Sequence, residues 1–359
     1  MTPVTSHGID RHDVDRVDTL GMWDVTFGLG DQLAVAAAAV ADGIGGLPEL
    51  GAIDHLVVLG MGGSGIAGDV LAAVAGPSSP VPISVVKDSV LPGFVGARSL
   101  VVALSFSGQT AETLAGATAA LERGASVVSV SAGGALATLV EHAGGVVLGL
   151  DGTIPMPRAA LGALVAPVVA VAEDLGVLPG ARAQVAAAVE QLRRRAPLLA
   201  RPDNPAAALA RTIGRTWPLV YGAGALGGVA AVRWKNQVNE NAKAPAFNHT
   251  VPEACHNELC GWGQHGDVTR QVLTLVELRH GFETPDVPRR FALMDDQMLE
   301  VVSEICTVEA QGDGPLAQLF DLVLVGDVTS LHLAANAGVD PGPIPALDAM
   351  KAGLQASQG

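Results

Sequence analysis

The chain has 359 residues, 49% hydrophobic and 16% charged, enough for two domains of ordinary size with large buried cores. Its formal charge is −15, with no basic block beyond Arg193–Arg195, which excludes the basic face that nucleic acid requires. No uncharged apolar run approaches the ~20 residues of a membrane span. The three cysteines (Cys255, Cys260, Cys306) do not make a disulfide framework, so a reduced, cytoplasmic protein is expected.

Met1–Asp18 carries six Asp and Arg residues and no apolar stretch, which argues against a secretory signal. Residues 1–50 read as a helical segment, alanine-rich over Gln32–Ala41. Short apolar runs at His55–Leu59, Ile83–Val86, Leu100–Ser105, Ser126–Ser131 and Val146–Leu150 then alternate with helical patterns such as Ile66–Ala75 and Ala111–Arg123. Buried strands alternating with helices predict a parallel sheet covered on both faces over 51–155. Connecting helices follow over 156–200. The pattern restarts over 201–328 with a strand at Trp217–Tyr221, a glycine turn at Gly222–Gly228 and a helix over Val229–Asn241. Further strands are expected at Gln271–Leu278, Glu304–Glu309 and Asp321–Val325, and two helices over 329–359. The fold class is thus α/β, with two tandem doubly wound domains.

The first glycine loop reads LVVLGMGGSGIAGDV, and Gly60, Gly62 and Gly65 fit the spacing of a dinucleotide site. Asp88 stands where that reading wants a ribose-binding acid. The next strand, however, ends in LSFSGQTAETL, with Ser105, Ser107 and Thr110 opening a helix. Hydroxyls and free N–H groups at a helix start suit a tetrahedral anion. Gly62, Gly63 and Ser64 would close the cradle from the neighbouring strand. A lone serine or threonine there would more often be a cap. Two such loops on adjacent strand ends favour phosphate, and a dinucleotide would leave the hydroxyls without a purpose.

GMGGSG followed by SFSGQTAET resembles the SIS (sugar isomerase) domain. WKNQVNENAKAP (Trp234–Pro245), PEACHNELCGW (Pro252–Trp262) and MPRAALG (Met156–Gly162) resemble the bifunctional phosphoglucose/phosphomannose isomerases, and the likeness runs through both domains to the last helix. It implies two SIS-like domains and interconversion of glucose 6-phosphate, and mannose 6-phosphate, with fructose 6-phosphate through an enediolate. It implies that Glu240 is the base, that Arg158 stabilises the enediolate, and that His256 and Lys351 open the sugar ring. It also implies a homodimer in which His256 serves the partner's site, with no cofactor.

Each residue also has a plainer reading: an exposed helix-end Glu240, a solvated Arg158 at a helix start, an ordinary His256, and a Lys351 answering a helix dipole. The chain departs from the family at Cys255, where a polar residue is usual. It departs again at Ile344, where some members carry a hydroxyl associated with mannose 6-phosphate. Cys255, His256, Cys260 and His265 could ligate a metal, but C-x-x-C and H-x3-H spacings are lacking, so no metal is expected. The alternatives are a phosphosugar-binding regulator without chemistry and an isomerase of a different phosphosugar. A regulator would normally bring a basic DNA-binding module, which the acidic N-terminal segment lacks.

Overall fold

The computed structural model describes residues 16–356; the first fifteen residues of the expected helical segment, and most of the stretch read as lacking a secretory signal, lie outside it. Within that segment, α1 (Met22–Phe27) and α2 (Leu29–Ala39) precede the first strand.

The first sheet contains β1 (His55–Gly60), β2 (Ile83–Val86), β3 (Ser99–Leu104), β4 (Ser126–Ser131) and β5 (Val146–Gly149). All pairings are parallel and the order is β2-β1-β3-β4-β5. In β1 the side chains from Leu56 to Leu59 are fully buried, as are those of Leu100–Leu104 in β3, because helices cover both faces. These helices are α3 (Gly62–Ala75), α4 (Ala111–Glu122) and α5 (Gly134–His142), with α6 (Leu161–Asp174) and α7 (Ala181–Leu199) leading out of the domain. The expected break at Arg201–Pro205 is where Asn204 caps α8 (Pro205–Ile213). Its side chain accepts from Ala207 N at 2.9 Å, and Pro205 opens the helix.

The second sheet, β7-β6-β8-β9, is also parallel. It is built from β6 (Trp217–Ala223), β7 (Phe247–Val251), β8 (Leu273–Arg279) and β9 (Ile305–Glu309), with helices α9 (Gly224–Gln237), α10 (Gly266–Val272) and α11 (Val287–Met298) between them. Two expectations are corrected here. Asp321–Val325 is not a strand but part of α12 (Pro315–Ala337), so the boundary expected at 328/329 falls inside a helix. α12 packs against α7, α8 and α9, and its side chains from Leu316 to Ala334 are nearly all buried. A helix buried all round has no polar face, so its periodic signal disappears and DLVLV passes for a strand. β7, FNHTV, was not foreseen. It is an edge strand with half-buried Asn248, His249 and Thr250, and so lacks the apolar run of its neighbours.

Helix α12 is long and apolar enough to cross a membrane, yet 94% of its most apolar stretch is buried inside the protein. It is a core helix. One apolar cluster continues from Leu56 and Val102 in the first sheet through Leu164 and Leu192 to Val220 and Phe320 in the second half. Helices α3 and α9, which follow the two glycine turns, pack directly on each other. The two halves therefore share a core, and the loops of each are held fixed relative to the other.

A buried carboxyl pair lies between β8 and α11. Glu277 Oε1 and Asp295 Oδ1 are buried and find no donor among the described residues, while Thr307 Oγ1 reaches Glu277 Oε2 at 3.4 Å. Burial, and then the Asp295 carboxylate, push Glu277 up to about 8. A proton on Glu277 thus supplies the missing donor at neutral pH. Because the folded value exceeds the ordinary 4.5, the stabilisation is complete below about pH 4.5 and is lost as pH rises through about 8. Urea denaturation across this window should show wild-type stability falling by up to about 1.4 kcal/mol per pH unit. Glu277→Gln, which keeps a neutral donor, should flatten that slope; an unchanged slope would refute the pairing.

Candidate active site

The strand order reverses between β1 and β3, and in open α/β sheets ligands bind beyond the carboxyl ends of the strands at such a point. Both hydroxyl-bearing loops emerge there. The turn after β1 is tight: a Cβ on Gly65 would sit 2.5 Å from the Gly60 carbonyl oxygen, so only glycine lets α3 start directly at the strand end. The first N–H groups of α3, those of Gly62 and Gly63, have no acceptor within the helix, and its N-cap side chain, Met61, supplies none.

Buried Ser64 binds this turn to the neighbouring loop, its Oγ accepting from Phe106 N at 3.3 Å. Ser105 Oγ lies 2.9 Å from Thr110 Oγ1. Thr110 stands at the N-cap of α4 without making a side-chain cap, whereas exposed Ser107 accepts from Gln109 N at 3.2 Å. The structure therefore gathers Ser64, Ser105, Ser107 and Thr110 at one switch point, with two uncapped helix starts. Asp88, by contrast, accepts from Val90 N at 3.1 Å and so organises its own turn.

Arg158 lies on the 3-10 turn Pro157–Ala159 after β5, and Gly63 gives it room. A Cβ on Gly63 would stand 3.0 Å from Arg158 Cα and 3.1 Å from its N. The Arg158 side chain is 3% exposed. Its Nε donates to Asn241 Oδ1 at 3.1 Å, and its Nη2 to the carbonyls of Pro341 and Gly342 at 2.6 and 2.7 Å. Nη1 makes no hydrogen bond and faces Glu240 Oε2 at 3.5 Å. Burial pulls the guanidinium downward from its usual value, and the Glu240 charge opposes that. An arginine stays cationic through such a shift.

Glu240 is 28% exposed and sits not on a regular helix end but on a π-helical turn, Val238–Ala242, that closes α9. Wider turns of this kind gather at functional sites because they re-aim a side chain. Asn241, beside it, is fully buried and held at both ends: Oδ1 takes Arg158, and Nδ2 donates to Ser330 Oγ at 2.9 Å. Ser330 Oγ in turn donates to the Asp327 carbonyl at 2.6 Å. The Asp327 carboxylate pairs with Arg233 through two hydrogen bonds, at 3.0 and 2.7 Å.

Lys243 follows in the left-handed region (φ 55), with Nζ on the carbonyls of Glu240 and Pro341. Burial, then Arg158, lowers its pKa. Neither Asn241 nor Lys243 was among the expected site residues, although both lie in the N-E-N-A-K run.

His256 and Lys351 make no hydrogen bond or ion pair with this cluster. His256 is exposed on the 3-10 turn Glu253–His256 after β7, and Lys351 is exposed on α13 (Pro345–Ala356). No described residue hydrogen-bonds or ion-pairs with either side chain. Ile344 is half-buried just before α13.

Over 309 residues the chain is 33% identical to the bifunctional phosphoglucose/phosphomannose isomerase of Caldicellulosiruptor bescii, covering 83% of this chain and 89% of that protein. The chain belongs to the bifunctional phosphoglucose/phosphomannose isomerase family. The family member from Thermoplasma acidophilum is 30% identical over 307 residues, 84% of this chain and 90% of that one. Residues 202–354 match the bacterial phospho-glucose isomerase C-terminal SIS domain. Among solved structures, the C-terminal domain of glucosamine-fructose-6-phosphate aminotransferase from Francisella tularensis superposes with a TM-score of 0.70 at 15% identity, over 89% of this chain and 96% of that one. A glucose-6-phosphate isomerase like protein from Thermus thermophilus gives 0.60 at 21%, over 94% and 98%. These last two share the two-sheet SIS fold. Family and fold thus agree with the expectation from the sequence.

The Arg158–Asn241–Ser330 chain of bonds predicts an uneven response to removing two nearby asparagines. Asn241→Ala leaves a buried partner unpaired on each side and should cost about 1–3 kcal/mol in urea denaturation. Asn239→Ala, which frees only the half-buried bond to the Ala244 carbonyl, should cost less than about 1 kcal/mol. Equal losses would show that the buried chain adds nothing.

Proposed function

We propose that this protein interconverts glucose 6-phosphate and mannose 6-phosphate with fructose 6-phosphate, as the names of its relatives state for them. The observation that carries the reading is the unbonded Arg158 Nη1 beside the Glu240 carboxylate, with the glycine turn of the switch point packed against the arginine backbone. A substrate whose phosphate sits among Gly62, Gly63, Ser64, Ser105, Ser107 and Thr110 has its sugar directed towards that pair.

Glu240 then takes the proton from C2 of the open aldose and returns it to C1. The aldehyde oxygen becomes a hydroxyl as the C2 hydroxyl becomes the carbonyl. In between, the enediolate bears negative charge, and the free Nη1 donor of a fixed guanidinium stabilises it without first reorganising. Lys243 adds positive charge at the same turn. Glu240 is partly exposed, so substrate can reach it while it faces Arg158. No step needs a redox cofactor.

Ring opening belongs to His256 and Lys351. Their exposure, with no hydrogen bond or ion pair to Glu240, supports a homodimer in which the His256 turn completes the partner's site. Three free thiols suit a reducing compartment and the cytoplasm. The regulator remains the alternative, and the paired base and cation give such a protein no advantage.

The assay starts from fructose 6-phosphate and follows both aldose products. Wild-type protein should form glucose 6-phosphate and mannose 6-phosphate, and Glu240→Gln should lower both rates by about 10²–10⁴ with the fold intact. Binding of fructose 6-phosphate without either product would leave the regulator standing. Shared sites predict complementation: mixing the impaired Glu240→Gln and His256→Ala variants should restore up to about a quarter of wild-type activity, since each heterodimer holds one intact site. No recovery after subunit exchange would place each His256 in its own subunit's site.

A further inference from the structure

The segment that carries His256 is held far more firmly than an exposed loop requires. After β7, Ala254 is fully buried and Cys255 Sγ rests 3.4 Å from Met294 Sδ. Asn257 Nδ2 donates to Glu253 Oε1 at 2.9 Å, and Asn257 Oδ1 accepts from Glu258 N at 2.6 Å. Glu258 then reaches inward. Its Oε1 accepts from Tyr221 Oη at 2.5 Å, and its Oε2 lies 3.6 Å from His249 Nε2. His249 Nδ1 accepts from Thr250 N at 2.7 Å, so its ring proton sits on Nε2 and points at Glu258. Within Glu253–Glu258, among the described residues, the exposed His256 side chain makes no hydrogen bond or ion pair.

Tyr221 is the sole tyrosine of the chain, and its residue is 0% exposed in β6. It packs in an apolar cluster with Leu219, Val251, Leu275 and Phe291, which a phenylalanine would fill equally well. A hydroxyl in such a place costs desolvation unless it is used. We propose that Tyr221, acting through Glu258, is a positioning residue for His256: it anchors the turn two residues beyond the histidine to the rigid centre of the second sheet. This rests on the reading of His256 as the ring-opening group. Burial and the adjacent Glu258 raise the Tyr221 pKa, so the phenol remains a donor at any pH the enzyme meets.

A ring-opening group displaced by an ångström slows that step and leaves substrate binding and the proton transfer at Glu240 alone. Tyr221→Phe keeps the ring and its packing while removing the anchor. On glucose 6-phosphate it should lower kcat about tenfold with KM changed less than about twofold. With substrate deuterated at C2, the isotope effect should shrink towards one, because ring opening then limits the rate. Glu258→Gln, which keeps an oxygen for Tyr221, should be affected less than Glu258→Ala. In a His256→Ala background, Tyr221→Phe should add no further loss.

A slowed Tyr221→Phe enzyme with the isotope effect intact, or losses that multiply in the double variant, would overturn the positioning role while leaving His256 in place. A His256→Ala enzyme with unchanged rate and isotope effect would overturn the His256 reading itself, and this inference with it.

Discussion

The site depends on keeping one guanidinium out of water. A buried cation is tolerated only where acceptors surround it, and those around Arg158 come from distant parts of the chain. Asn241 lies 83 residues away, and the Pro341 and Gly342 carbonyls lie 183 and 184 residues away. The Gly63 turn packs on its backbone. A single residue thus ties the first glycine loop, through its backbone, to the turn bearing Glu240 and to the loop leading into α13, through its side chain. Burial is offset by hydrogen-bond acceptors everywhere except at Nη1, the donor that the proposed mechanism leaves for an oxyanion.

This arrangement requires the two halves not to move against each other. Two features prevent that. The apolar cluster runs unbroken through both sheets, and α12 lies against three helices with almost no exposed surface. Its few charges serve the structure. Asp327 pairs with Arg233, and Asp321 accepts from Gln191 Nε2 at 2.8 Å and from Gln311 N at 3.0 Å. The Asp327 carbonyl also ends the chain of bonds that begins at Arg158. The same helix that joins the domains therefore sets the angle of the arginine.

How much of this was legible in the sequence follows from what each signal encodes. β1 and β3 were readable because a buried parallel strand is a continuous apolar run cut off by glycine or serine. The two hydroxyl-bearing loops were readable because both followed such strands, and Arg158 and Glu240 through motif resemblance. α12 was misread for the same physical reason that it matters: burial on all sides erases the helical period. β7 was missed because an edge strand at a domain surface can carry Asn, His and Thr. The roles of Asn241 and Lys243 were hidden, since a motif gives identities and not what the side chains meet. The carbonyls of Pro341 and Gly342 have no sequence signal at all, because every residue has one.

The contrast between two histidines explains why the site is built in unlike parts. His332, 1% exposed in α12, is driven down to about 4 by burial and then by Arg211, and serves as a neutral bonding partner of Asn204. An imidazole in that setting takes up a proton only in acid. A group that opens a sugar ring must accept and return a proton near neutrality, so it has to remain wet until substrate arrives. An enediolate stabiliser has the opposite need, since its charge acts most strongly where water is excluded. Both demands cannot be met at one depth in the protein. On the proposed roles, Arg158 meets the second demand, buried and clamped by backbone carbonyls, and His256 the first, exposed on a turn whose neighbouring residues, and not the histidine itself, are pinned to the core.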